Sequence, residues 1–302
     1  MTNIRFNGVM PALITPLNDD STVRANVVEP MVKWMLNQGI KGFYVLGATG
    51  EGGVLSEKER MVMAEATAQA IQDTDAKLIL HVGAADVQSA KRLAKHAGQI
   101  GADAISSVYP SFFNNYDIEE SMNYYHALID SSGLPMLGYC QSMLQGNDVV
   151  PFVKRLMKVE GVIGVKYTFQ NYYNLEKIKR INDGDINVMN GPDETLVCGL
   201  SMGADGGIGS TYNVMPKKFI DLYEQFTDNN IMEAQKEQLS INKIIDCILS
   251  TPLIPTLRVA MEELGFDVGY AAEPARRFTL EERKGIIKSL HEAGWYQDSC
   301  SN

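Results

Sequence analysis

Cysteine is scarce in this chain of 302 residues: Cys140, Cys198, Cys247 and Cys300 lie far apart, with no CxxC pair. That spacing excludes a disulfide scaffold and a zinc-ribbon site, and it suits a reducing cytoplasm. Histidine is as scarce: His81, His96, His126 and His291 form no HxxxH or HExxH pattern, so no metal is expected. Basic residues are in deficit, 27 against 37 acidic, for a net charge of −10. A nucleic-acid or anionic-membrane surface needs clustered cations, and neither is expected as a partner. Nowhere does an uninterrupted apolar run approach the roughly 18 residues of a membrane span. The N-terminus lacks the basic stretch, apolar run and cleavage site of a signal peptide. No GxGxxG follows the first apolar run, which weakens a dinucleotide fold.

What the chain has is alternation. Short apolar runs near 9–14, 42–46, 77–82, 103–107, 134–139, 162–166, 186–189 and 206–209 read as strands. Between them, amphipathic stretches near 25–38, 56–73, 87–100, 117–131, 149–158, 172–182, 194–202 and 216–227 read as helices. The Ser56-to-Glu59 spacing predicts a capping box. Strands alternating with helices give a parallel sheet, and eight such units fit a closed (β/α)₈ TIM barrel of about 250 residues. An open doubly wound sheet is the other candidate. Past residue 228 the strands stop, and helices near 230–249, 252–264 and 280–292 follow. The expected organisation is an α/β barrel over 1–227 that carries the active site, and a C-terminal three-helix extension over 228–302.

In such barrels chemistry sits at the C-terminal ends of the strands. The sixth run, Val162-Ile163-Gly164-Val165-Lys166, ends in a lysine. A lysine after a strand is usually a solvated loop residue. At a barrel strand end it can instead stand in a partly dry pocket, where its pKa falls and its amine attacks carbonyl carbon. The fifth run ends in Tyr139, and neighbouring strands lie roughly 4.8 Å apart, so the two side chains can face one pocket. Cys140 follows Tyr139; it reads as a small buried hydrophobe, with a place in the same pocket as the alternative. After the second run, Gly47-Ala48-Thr49-Gly50-Glu51-Gly52-Gly53 is either a tight turn or a nest of N–H groups for a small carboxylate. Gly191-Pro192-Asp193-Glu194 offers acids that complement a helix dipole or accept from substrate hydroxyls. Gly207-Ile208-Gly209-Ser210-Thr211-Tyr212-Asn213 follows the eighth run, where loops of this fold often bind anions.

These segments resemble the pyruvate-dependent class I aldolases of the dihydrodipicolinate synthase / N-acetylneuraminate lyase family. The likeness covers nearly the whole chain. It is most specific at Gly47-Ala48-Thr49-Gly50-Glu51, Tyr139, Gly164-Val165-Lys166 and 203–213. The last segment and Gly191-x-Asp193-Glu194 lean toward the lyase branch. The resemblance implies a Schiff-base lysine, no metal or organic cofactor, and a homotetramer. It makes Lys166 the imine-forming lysine and Tyr139 the proton relay. Ala48, Thr49 and Gly50 would hold the substrate carboxylate. Thr168, Gly191, Asp193, Glu194, Ile208 and Ser210 would line the rest of a sugar acid. The implied partners are small molecules: pyruvate and an aldehyde.

The chain departs from the family pattern in three places. Ala48 stands where a second hydroxyl normally bonds the relay tyrosine. Tyr139 is followed by Cys140-Gln141-Ser142 rather than Asn or His and Ile-Pro. The fourth-strand loop reads Tyr109-Pro110-Ser111-Phe112-Phe113-Asn114, with phenylalanine where many members lend a tyrosine. A phenylalanine cannot relay a proton, which leaves Tyr109 and Tyr116 as substitutes. Three functional readings follow. The first is an N-acetylneuraminate lyase-like aldolase. The second keeps the imine and changes the outcome: a 2-keto-3-deoxy sugar acid aldolase, a dehydratase or a synthase. The third is a non-catalytic 2-oxo acid binding protein.

Overall fold

A computed structural model describes residues 4–108, 116–141 and 149–295. Eight parallel strands close into a barrel in simple sequence order, each hydrogen-bonded to the next and β8 to β1. The strands are β1 (Gly8–Leu13), β2 (Gly42–Val45), β3 (Lys77–His81), β4 (Ala104–Val108), β5 (Met136–Cys140), β6 (Val162–Tyr167), β7 (Asn187–Asn190) and β8 (Gly206–Gly209). The helices between and after them are α1 (Ala25–Asn37), α2 (Glu57–Ile71), α3 (Val87–Gln99), α4 (Ile118–Ser132), α5 (Val149–Leu156), α6 (Tyr172–Lys179), α7 (Leu196–Ser201) and α8 (Pro216–Thr227). Three more complete the chain: α9 (Ile231–Leu249), α10 (Leu253–Glu263) and α11 (Leu280–Glu292). The closed TIM barrel is the expected one, and the open sheet is excluded by the β8–β1 pairing.

Local signals set the element ends. Asp117 and Glu120 form a full capping box at α4, and Thr279 and Glu282 form another at α11. At α2 only half of the expected box forms. Ser56 accepts from the Glu59 amide, but the Glu59 carboxylate accepts instead from the Val23 amide at 2.7 Å, ahead of α1. A tertiary donor has displaced the local one.

Side chains sort into two cores. The barrel interior holds Met10, Ala12, Tyr44, Ile79, Ala104, Leu137, Tyr139, Met189 and Ile208, closed below by Phe6. The larger core lies between strands and helices, and it takes in Ile241, Ile245, Leu257 and Trp295 of the C-terminal segment. Trp295 is buried, and its indole N–H donates to Val214 O at 2.9 Å.

The β5–β6 ladder carries one irregularity. Met136 pairs with Val162, but Leu137 pairs with Gly164, so Ile163 has no opposite number. Above the skip the pairing is regular and sets Tyr139 opposite Lys166 and Cys140 opposite Tyr167. Ile163 nevertheless packs against the barrel interior.

Candidate active site

Each of the two key strands runs one residue further than expected. Lys166 and Tyr139 are the penultimate residues, and Tyr167 and Cys140 come last. Strand alternation then decides their surroundings. Tyr139 joins the barrel interior, while Cys140 and Tyr167 turn into the strand–helix core. Cys140 is buried, and burial pushes its thiol up to about 12, so it is an inert packing group.

Lys166 is 5% exposed, and its Nζ lies 4.5 Å from the ring centroids of both Tyr139 and Tyr44. The ring faces favour an ammonium by ~0.5–2 kcal/mol. Burial opposes and wins: it lowers the Lys166 pKa to about 8, against a smaller upward pull from the Asp193 charge. At pH 7 about a tenth of such a group is neutral, against roughly one part in three thousand for a solvated lysine. The Tyr139 phenol is pushed above its ordinary 10.0 by burial, partly offset by the Thr168 hydroxyl beside it. It therefore keeps its proton near neutral pH.

Tyr44 and His81 were not singled out from the sequence. Tyr44 is fully buried, and its hydroxyl pairs with Ser106 Oγ at 3.0 Å. Its ring meets Tyr139 edge-on with centroids 6.1 Å apart, and His81 meets Tyr139 likewise at 6.2 Å. The His81 pKa falls to about 3, chiefly through burial and then through Arg60, so the ring is neutral. Its Nε2 accepts from the Val108 amide at 3.2 Å, and Arg60 donates to the carbonyls of His81 and Gly83. The period-2 rule places Tyr44 inward, because Phe43 and Val45 beside it belong to the outer core.

The glycine-rich turn after β2 is held from several sides. Leu46 and Glu51 adopt left-handed φ of 66° and 56°. A Cβ on Gly52 would stand 2.0 Å from Leu46 O, and one on Gly50 would stand 2.7 Å from Leu13 O, so both must be glycine. Thr15 Oγ1 donates to Gly50 O at 2.7 Å. The Glu51 carboxylate pairs with Arg258 of α10 and accepts from the Ala272 amide at 2.8 Å. Arg258 also donates to Thr15 O and Val268 O. Thr49 is buried, with its Oγ1 2.7 Å from Ser210 Oγ across the barrel mouth. The turn after β2 thus meets the loop after β8. Ala48 is exposed.

The loop after β7 completes the ring. Asp193 is 8% exposed, and one carboxylate oxygen accepts from both the amide and the hydroxyl of Thr211 at 2.7 Å. Burial raises its pKa to about 6 despite those donors, so it is largely ionised at neutral pH. Gly191 continues the ladder by donating to Tyr167 O, and Thr168 does the same to Cys140 O. A Cβ on Gly191 would stand 2.0 Å from Thr168 Oγ1, so glycine here leaves room for that hydroxyl. Ile208 lies in the inner core. The Glu194 carboxylate accepts from Gln170 Nε2 at 3.0 Å. Of the two candidate relay tyrosines, Tyr109 lies outside the described residues, as does the rest of 109–115, and Tyr116 stands two residues before α4.

A model of the dihydrodipicolinate synthetase family matches residues 5–293. An N-acetylneuraminate lyase of Citrobacter koseri is 36% identical over 258 residues, covering 85% of this chain and 86% of that protein. One from Escherichia coli is 37% identical over 262 residues, with 86% of each covered. Among solved structures, N-acetylneuraminate lyase of Proteus mirabilis superposes with a TM-score of 0.91 at 27% identity, over 97% of this chain and 100% of that one. The Fusobacterium nucleatum lyase gives 0.89 at 29% identity, over 96% and 99%. A lysine between two tyrosine rings at the mouth of a closed barrel, and a family match over almost the full length, place this chain in the dihydrodipicolinate synthetase family.

Proposed function

We propose that this protein is a class I aldolase that reversibly cleaves a 2-oxo sugar acid to pyruvate and an aldehyde, in the manner of an N-acetylneuraminate lyase. The observation that carries the reading is Lys166: buried, flanked by Tyr139 and Tyr44, and with a pKa lowered to about 8. The relatives named above support the same substrate class.

The neutral amine attacks the C2 ketone, and loss of water gives an iminium. A proton leaves the C4 hydroxyl, the C3–C4 bond breaks, and its electron pair flows into the iminium to form an enamine. The aldehyde departs. Protonation of the enamine at C3 and hydrolysis release pyruvate and restore the lysine. Tyr139 stands against the amine and keeps its phenolic proton near neutral pH, so it can hand that proton on and take another back. Thr49 and the Gly50 amide form the carboxylate cradle that aligns C2 with the amine, beside the exposed Ala48, and Ser210 bonds the Thr49 hydroxyl from the side of the tail. Thr168, Gly191, Asp193, Glu194 and Ile208 line the path of the sugar tail. The reading extends to a homotetramer and a cytoplasmic setting, on the strength of the family and of the sparse cysteines.

A second reading rests on Ala48, which brings no hydroxyl to the turn. It keeps the imine but lets the enzyme expel water or take a shorter 2-keto-3-deoxy acid. The test is intact mass after incubation with pyruvate and borohydride, then peptide mapping. An adduct on Lys166 that vanishes in Lys166→Ala is expected, and trapping that survives in that variant refutes the assignment. Release of pyruvate from N-acetylneuraminate separates the two outcomes.

A further inference from the structure

Three successive carbonyls in the loop after β7 are each held by a side-chain amide. Asn190 Nδ2 donates to Pro192 O at 2.7 Å, Gln238 Nε2 to Asp193 O at 3.1 Å, and Asn242 Nδ2 to Glu194 O at 3.0 Å. Asn190 belongs to the strand below, but Gln238 and Asn242 come from α9, outside the barrel. They stand one turn apart on a single helix face, and Gln238 Nε2 also donates to Asn242 Oδ1 at 2.9 Å. The other end of the Gln238 amide accepts from the Val197 amide at 3.1 Å. That N–H opens α7, whose own N-cap residue, Thr195, supplies no side-chain cap. Gln238 is 3% exposed and has both ends of its amide used.

We propose that Gln238 and Asn242 are positioning residues for substrate selection: they fix the backbone that aims Asp193 and Glu194 at the sugar tail. The inference rests on the aldolase reading above and adds to it the residues that set tail recognition. Neither amide touches Lys166, Tyr139 or the Thr49–Gly50 cradle. Loosening them therefore affects the part of the substrate that pyruvate lacks. A shift of the loop moves the two acids and reaches imine formation only through the Asp193 charge, the smaller of the two influences on the Lys166 pKa.

The test compares two substrates on wild-type protein, Gln238→Met and Asn242→Ala. Gln238→Met keeps the length of the side chain and removes its donors and acceptor. It is expected to raise the KM for N-acetylneuraminate by about tenfold, the worth of roughly one hydrogen bond. Asn242→Ala, at a half-buried position, is expected to raise it about threefold, for a weaker contact. In both variants the rate of borohydride trapping by pyruvate, which has no tail, should stay within about twofold of wild type, and so should kcat, because tail binding lost equally from ground and transition state raises KM alone. Unchanged KM in both variants overturns the proposal. So does a fall in trapping that keeps pace with the loss of cleavage in Asn242→Ala, which marks a general structural role. Should Gln238→Met fail to fold, Asn242→Ala decides alone. Wild-type protein that traps no pyruvate removes the aldolase reading, and this inference with it. Wild-type protein that traps and cleaves, beside variants that match it, removes the inference only.

Discussion

The rate at which Lys166 forms an imine should level off near pH 8, well below the range of an ordinary lysine. The perturbation is pH, and the magnitude follows from burial. A fall from 10.5 to about 8 corresponds to ~3 kcal/mol of lost preference for the ammonium. The two ring faces favour the cation by less than that, so they temper the shift without reversing it. The neutral fraction then rises from about 3% at pH 6.5 to half at pH 8, roughly fifteenfold, and only about twofold more by pH 10. A lysine left at its ordinary value would still gain roughly 75-fold between pH 8 and 10. The assay is the first-order rate of cyanoborohydride trapping at subsaturating pyruvate from pH 6.5 to 10. Most of that range lies above the titration of Asp193 near 6. Asp193→Asn removes the charge that pulls the Lys166 pKa up, so its midpoint should move to lower pH. A wild-type rate that still climbs about eightfold from pH 9 to 10 refutes a dry amine. A midpoint that Asp193→Asn moves upward refutes the assigned coupling.

Lys166→Met should stabilise the fold at pH 7 by up to ~3 kcal/mol, because a buried group that resists protonation costs stability. The unfolded chain binds this proton up to 10.5 and the folded one only to about 8, so the cost is full below 8 and fades between 8 and 10.5. The Tm advantage of the variant should shrink across that window, and an advantage that grows there counts against the sign. Thr49→Val should raise the pyruvate concentration for half-maximal trapping by about tenfold, the worth of a hydrogen bond to a carboxylate, with the saturated rate little changed. An unchanged half-saturation point would take Thr49 out of the cradle. Glu51→Gln strips the buried Arg258 of its counter-charge and should cost about 3 kcal/mol, a Tm loss of roughly 5 °C by thermal melt. A loss under about 2 °C would show that the pair contributes little.

Much of this molecule is written locally. The eight apolar runs and the helices between them follow from hydrophobic pattern alone, because a parallel strand buried on both faces is a continuous apolar run. The same fact hides which side chains face inward. Gly42-Phe43-Tyr44-Val45 reads as one apolar block, so Tyr44 is indistinguishable from its neighbours until the barrel closes. Lys166 stands out because a lysine breaks such a block, and Tyr139 because it closes the apolar run before it. Their exact place relative to the strand ends does not, since it depends on pairing with a neighbour. Contacts at long range leave no local trace. Gln238 reaches Asp193 across 45 positions, and Arg258 reaches Glu51 across 207. The Glu59 carboxylate shows the converse: a correct local pattern loses half its bonding to an amide 36 residues away.

The unmatched residue in β6 has a consequence for the whole wall. Ile163 and Lys166 both belong to the inside of the barrel, three positions apart, a separation that a regular strand puts on opposite faces. The skip acts as a phase change in the strand. Below it, side chains are chosen to plug the floor; above it, they are aimed at the mouth. The two halves are free to answer to different demands, and a change in how the floor is filled does not rotate the amine out of the pocket.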